Sequence, residues 1–277
     1  MVEPQLGVRS LMPKTRSSPH LAYSLSGPED APMVVFVNGL GGAQAAFTLQ
    51  VRDFSKDHRV LTFDHRGVGG SDVVDAPAHM ADFAADLVRV LDEVGADCVD
   101  FVGLSFGGRV LQQLAAGWPE RVRRMVIGGT SAGGSLHHPG DADAHGSLRL
   151  ASGAGQDVWA EKIAPLLFGR AYVERYPERI VSLARWRARY PSNPVGIARQ
   201  WDAWDGFDMG DQIGAIRCPV LVLHGTDDAL SPVVNAEALV AHLPNAELML
   251  LEGIGHSPNV EDPEAFNGAI RRFLRAP

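Results

Sequence analysis

The sequence predicts an α/β protein: a mostly parallel central sheet flanked by helices on both faces, with a helical cap insertion. Three observations carry this. Short apolar runs, too continuous for strands with one wet face, alternate with amphipathic helical patterns. Most of these runs end in loops rich in glycine, aspartate or histidine, the residues that build turns and carry chemistry. The alternation lapses between about residues 131 and 210, where aromatic helical sequence replaces it, and then resumes. The chain is therefore divided into a core of residues 1–130 and 211–277 and a cap insertion of residues 131–210. No internal repeat or linker marks a second independent unit.

Leu21 to Ser26 reads as a first strand closed by Gly27-Pro28, and Met33 to Val37 as a second. The second stops at Asn38-Gly39-Leu40-Gly41-Gly42, where missing side chains leave backbone amides open to a ligand. A phosphate cradle, a plain turn and an oxyanion loop all fit this pattern. The phosphate reading lacks a Gly-Lys-Ser/Thr sequence and a G-x-G-x-x-G with its acidic partner. Val60 to Phe63 supplies a third strand, followed by the charged loop Asp64 to Asp72, which reads as a segment held by its own hydrogen bonds. Met80, Phe83, Ala84, Leu87, Val90, Leu91 and Val94 share one helical face, ended by Gly95.

Cys98 to Val102 is the next strand, and it runs into Gly103-Leu104-Ser105-Phe106-Gly107-Gly108. Beyond it Val110, Leu111, Leu114 and Ala115 recur at helical spacing up to Gly117-Trp118-Pro119. Strand, serine and helix in this order read as a nucleophile elbow. The serine occupies a strained turn, and flanking segments pass so close that positions 103 and 107 must be glycine. Val122 to Ile127 makes a further strand, ended by Gly128-Gly129.

The insertion concentrates rings: Trp159, Phe168, Tyr172, Tyr176, Trp186, Tyr190, Trp201, Trp204 and Phe207. Aromatics above the strand ends predict a mostly apolar pocket, with Trp159, Trp186 and Trp204 as candidate substrate contacts; the alternative for each ring is the cap's own small core. On a helix Arg185 and Arg189 share a face while Arg187 points away, which reads as solvated surface. His137 to His145 contains metal-ligand residue types, but no coordination spacing supports a metal, and none is expected. Sheet building resumes at Pro219 to Leu223, followed by His224-Gly225-Thr226-Asp227-Asp228-Ala229-Leu230-Ser231-Pro232 and a helix to Leu243. Glu247 to Leu251 is the last strand, Glu252 to His256 its exit loop, and Pro263 to Leu274 a closing helix.

Composition narrows the partners. A formal net charge of -8 over 277 residues argues against nucleic acid, whose affinity rests on clustered Lys and Arg, and favours a small-molecule substrate. Cys98 and Cys218 each precede an apolar run and read as small buried residues of a reducing compartment, with no disulfide framework. No apolar run long enough for a signal peptide or a membrane span is seen, so the expectation is a cytoplasmic protein without membrane contact. A monomer and a homodimer both fit the sequence.

A serine hydroxyl becomes a nucleophile when a base takes its proton, and the base works best when a carboxylate holds its tautomer. In hydrolase sheets the chain order is serine, acid, histidine; Ser105, Asp228 and His256 fall in that order, the latter two just after strands. Taken together, the 38–42 loop, the 64–72 loop, the elbow, Gly225 to Pro232, and Gly253-Ile254-Gly255-His256 with Glu261-Asp262-Pro263 resemble the α/β-hydrolase fold superfamily over nearly the whole chain outside the cap. The resemblance implies Ser105 as nucleophile, His256 as general base and acid, and Asp228, four residues before Pro232, as the orienting carboxylate in preference to Asp227. It also implies an oxyanion hole from the backbone amides of Leu40 and Phe106. Asn38 stands where the common pattern has histidine, and the Asn-Gly-Leu-Gly loop is similar to that of the 3-oxoadipate enol-lactonase and carboxylesterase-like branch. The expectation is a cofactor-free serine hydrolase that cleaves an ester or lactone with an apolar moiety through an acyl-enzyme at Ser105. The same triad serves acyltransferases, thioesterases and carbon-carbon bond hydrolases, and a ligand-binding receptor on this fold is the alternative from another class.

Overall fold

The computed structural model describes residues 12–140, 144–150, 156–190 and 192–276. Seven strands form one sheet: β1 (Tyr23–Ser26), β2 (Met33–Val37), β3 (Arg59–Phe63), β4 (Val99–Leu104), β5 (Val122–Gly128), β6 (Val220–Gly225) and β7 (Ala246–Leu251). Their order is β1-β3-β2-β4-β5-β6-β7, with β1 antiparallel to β3 and every other pair parallel. Because the strands from β2 on run the same way, the loops that leave them gather along one edge of the sheet.

The apolar continuity of the strands follows from cover on both faces. In β2, Val35 and Val37 join one buried cluster while Val34 and Phe36 join the other, the period of two expected of a strand. The first cluster is closed by α2 (Met80–Glu93), α3 (Phe106–Gly117) and α10 (Val233–His242), through Phe83, Leu87, Leu111, Leu114 and Leu239. The second is closed by α1 (Thr48–Phe54) and α12 (Pro263–Arg275), through Phe54, Phe266 and Ile270. Pro263 opens α12, and the Asp262 carboxylate before it accepts from the Ala265 amide at 2.9 Å, so the exit from the His256 loop has a fixed helix start.

Between β5 and β6 the described residues form α4 (Ala144–Leu150), α5 (Gln156–Val158) continuing as a π-turn over Trp159–Ile163, α6 (Ala164–Leu167), α7 (Arg170–Arg175), α8 (Pro177–Arg187) and α9 (Pro194–Asp205). This insert has its own apolar cluster around Trp159, Ile163, Phe168, Tyr172, Ile180 and Ala184. A short α11 (Pro258–Glu261) precedes α12. Cys98, expected inside, is exposed, because it lies in the turn before β4; Cys218 is half-buried, which pushes its thiol up to about 11. Among the described residues no helix is long and apolar enough to cross a membrane.

Candidate active site

The strand exits bring together residues from distant parts of the sequence, Leu40, Ser105 and His256 among them. Ser105 caps α3 with φ 55° and ψ -119°, the one positive φ outside glycine among the described residues, and its amide donates to the Gly128 carbonyl at 2.8 Å. Such a conformation costs on the order of 1–3 kcal/mol and persists where its surroundings fix it. A Cβ at Gly103 would lie 2.7 Å from the Gly107 carbonyl oxygen, and one at Gly107 would lie 2.2 Å from that of Val37. The close approach that the elbow spacing implied is therefore present.

Asp228 leaves β6 and His256 leaves β7. His256 Nδ1 lies 2.8 Å from Asp228 Oδ2 and 3.0 Å from Oδ1. The Leu230 and Ser231 amides each donate to Asp228 Oδ1 at 2.9 Å, so the carboxylate is aimed by its own loop. A carboxylate can only accept, so Nδ1 carries the proton and Nε2 is left free to accept one. Burial works against charge on both partners, but the ion pair and its hydrogen bonds outweigh it: Asp228 is held below the ordinary carboxylate range and His256 above the ordinary imidazole value. Asp227, the rival acid, is exposed and accepts instead from the Arg170 amide at 2.7 Å.

Ser105 and His256 line one narrow cavity of about 30 Å³, together with Leu40, Gly129, Leu230 and residues of the insert. No hydrogen bond joins Ser105 Oγ to His256 among the described residues; in unliganded sites such contacts commonly shorten when substrate arrives. The backbone N–H groups of Leu40 and Phe106 have no acceptor among the described residues, so both donors are free. An oxyanion formed on a carbonyl attacked by Ser105 needs two such donors.

Against this geometry, a family model for the alpha/beta hydrolase fold matches residues 32–263. The chain belongs to the alpha/beta hydrolase fold family. It is similar, at 29% identity over 256 residues covering 92% of this chain and 93% of the other, to 3-oxoadipate enol-lactonase 2 of Acinetobacter baylyi. A Caulobacter vibrioides protein named, by inference, a carbamate hydrolase is 31% identical over 262 residues, covering 92% of this chain and 95% of the other. Among solved structures, the enol-lactonase from Burkholderia xenovorans superposes with a TM-score of 0.81 at 26% identity, covering 93% of this chain and 97% of that one.

Several further residues brace this site, in roles that the sequence did not assign to them. His65, in the loop expected to be held mainly by its own hydrogen bonds, is fully buried, and its Nε2 donates to the Asn38 carbonyl at 3.1 Å. Burial, with Arg66 nearby, lowers it to about 4, so a neutral ring braces the loop that presents the Leu40 amide. Fully buried Gln200 of α9 accepts from the Gly41 amide at 2.8 Å, and Ser192, just before that helix, donates to the Gly41 carbonyl at 2.9 Å. Gly129, with φ +56°, lies against the imidazole; a Cβ there would be 2.9 Å from His256 Cε1. The Glu261 carboxylate accepts from Gly255 in the histidine loop at 3.0 Å and from Gly169 in the insert at 2.8 Å. His224 donates from Nε2 to the Ser231 carbonyl at 2.7 Å and lies 3.6 Å from Asp228 Oδ2, backing the acid loop.

The cavity wall differs from the expectation of three tryptophans. Trp204 lines it, and so does Trp201. Trp159 instead packs in the insert's own core, its ring 6.3 Å from that of Phe168, and Trp186 pairs with Tyr190 at 5.1 Å; neither lines the cavity. The wall is also more polar than expected, since Arg109, Thr130, Ser131, His137 and His145 contribute to it. His137 and His145, read from sequence within a weak metal-ligand pattern, face Trp204 with ring centroids 5.5 and 4.8 Å away. Asp141, Ala142 and Asp143 of that stretch lie outside the described residues. Among the described residues no group of three His, Cys, Asp or Glu is placed to hold a metal.

Proposed function

We propose that this chain is a cofactor-free serine hydrolase that cleaves a carboxylic ester or lactone through an acyl-enzyme at Ser105. The observation that carries the reading is the Asp228–His256 pair, 2.8 Å apart, opening into the same cavity as a serine held at positive φ. His256 Nε2 takes the Ser105 proton as Oγ attacks the carbonyl carbon, and the Leu40 and Phe106 amides receive the oxyanion. The imidazolium returns its proton to the leaving oxygen as the carbon-oxygen bond breaks. In a lactone that oxygen stays attached to the acyl chain. Water, deprotonated by the same imidazole, then attacks the acyl-enzyme, and the proton returns to Ser105. Leu40, Leu148, Trp201, Trp204 and Leu230 give the cavity an apolar wall that suits an acyl group with an apolar part. The similarity to enol-lactonases supports a lactone.

A carbamate is a second acyl substrate open to the same steps, favoured by the similarity to the Caulobacter protein. Fluorophosphonate labelling tests the nucleophile: covalent mass on Ser105 and a loss of esterase turnover of at least about a thousandfold in Ser105→Ala are expected. Absence of label on folded protein, or more than a tenth of wild-type turnover in the variant, overturns the reading. Rates on matched lactone, ester and carbamate panels then rank the substrates.

A further inference from the structure

We propose that Arg109 makes the cavity a recognition site for a carboxylate carried by the substrate, a few bonds from the carbonyl that Ser105 attacks. The inference rests on the serine-hydrolase reading above and narrows its substrate class to anionic esters or lactones.

Arg109 stands four residues after Ser105, one turn along α3, so both lie on one side of the helix about 6 Å apart along its axis. Helical side chains lean toward the N-terminus, the end of α3 that Ser105 caps. It is 4% exposed, and it lines the cavity. Its guanidinium donates to two neutral acceptors, the Trp204 carbonyl at 2.9 Å and Ser131 Oγ at 2.9 Å, and lies 4.2 Å from the centre of the Trp204 ring. Among the described residues no carboxylate is within ion-pair distance of it. Arg66, by contrast, is held by both oxygens of buried Asp86 at 2.6 and 2.8 Å.

A buried cation without a counter-charge is expensive, and the cost is visible in Arg109, where burial pulls the guanidinium down to about 9. An incoming carboxylate removes that cost; a neutral group of the same shape does not. The Asp228 carboxylate behind His256 is engaged by that ring and by its own loop amides, and the remaining lining residues supply no further counter-charge. None of the others is Asp, Glu, Lys or Arg. Burial holds His137 and His145 at about 4, so both are neutral hydrogen-bonding rings at pH 7. Asp205, which favours the charged form of Arg109, is engaged by Arg149 at 2.7 Å. Arg109 also ties α9 to the β5 exit, and a purely structural role would end there; the two roles differ in whether substrate charge is read.

The test uses mono-p-nitrophenyl esters of five- to seven-carbon diacids and the same compounds with the free acid methylated. In wild-type enzyme kcat/KM for the anionic ester of at least one chain length should exceed that of its methylated twin by about tenfold or more, the size of one charge-assisted hydrogen bond in a dry site. In Arg109→Met the ratio should fall to within about twofold of one, whatever happens to both rates. No anionic preference in wild type, or a preference that survives in Arg109→Met, overturns the proposal. Should that variant fail to fold, wild-type inhibition decides: the free diacids should compete with a neutral ester and their dimethyl esters should not, and equal inhibition by both overturns it. If wild-type enzyme turns over neither ester, the serine-hydrolase reading fails separately. The anion site is then read from thermal stabilisation of wild type by free diacid, with no stabilisation counting against it.

Discussion

Replacing Gly129 by alanine perturbs the site through one methyl group. The new Cβ would stand 2.9 Å from His256 Cε1 and 3.0 Å from Nδ1. Carbon contacts settle at about 3.5–4.0 Å, so the ring must withdraw by roughly 0.5–1 Å. It has little room to do so without loss, because Asp228 Oδ2 holds Nδ1 at 2.8 Å and the carboxylate is itself fixed by the Leu230 and Ser231 amides. A displacement near 1 Å in a catalytic group costs on the order of a hundredfold in rate, or about 2.7 kcal/mol of transition-state stabilisation. The positive φ of +56° adds about 1–2 kcal/mol of backbone strain on folding. The expected result is a folded protein with Tm lowered by a few degrees and kcat/KM for an activated ester lowered about a hundredfold. Turnover within threefold of wild type, with the substitution confirmed, would refute the claim that Gly129 sets the imidazole position.

Three further outcomes follow from the same geometry. Because Asp228 raises the His256 pKa and only the neutral imidazole is a base, activity should rise with pH through an ionisation above the usual histidine value; Asp228→Asn should shift that limb to lower pH and reduce kcat on the order of 10⁴-fold, read from a pH-rate profile. Gln200→Leu removes the acceptor that holds the Gly41 amide and should lower kcat by about tenfold, short of the hundredfold or more lost with an oxyanion donor itself, as measured by steady-state kinetics. Arg66→Met leaves the fully buried Asp86 carboxylate with Arg89 at 2.7 Å as its remaining ion-pair partner, and urea unfolding should show a loss of about 3 kcal/mol.

The glycine spacing of the elbow and the strands from Met33 to Leu251 were legible because each is a local pattern: apolar continuity, glycine at a forced close approach, a turn after a strand. Asp228 was separable from Asp227 only by resemblance; in the structure the difference is physical, one carboxylate buried on His256 and the other turned outward to the Arg170 amide. The pocket tryptophans were the weakest reading. Trp159 and Trp204 are equally apolar in sequence, and which ring closes the insert's core depends on helix packing that no spacing encodes. The thiol of Cys98 was misplaced for a related reason, since a residue one step before a buried strand lies in the turn that feeds it.

By itself the sequence determined the class of fold and the chemical types available at each strand exit, since these rest on periodicity and on backbone sterics acting within a few residues. Only the tertiary structure decided what surrounds them: His65 under the Asn38 carbonyl, Gln200 on the Gly41 amide 159 positions away, Gly129 against the His256 ring, and Arg109 in the cavity wall without a carboxylate. Such pairings depend on how layers of helix and sheet dock. Docking is fixed by the summed packing of many distant side chains, so no short stretch of sequence carries it.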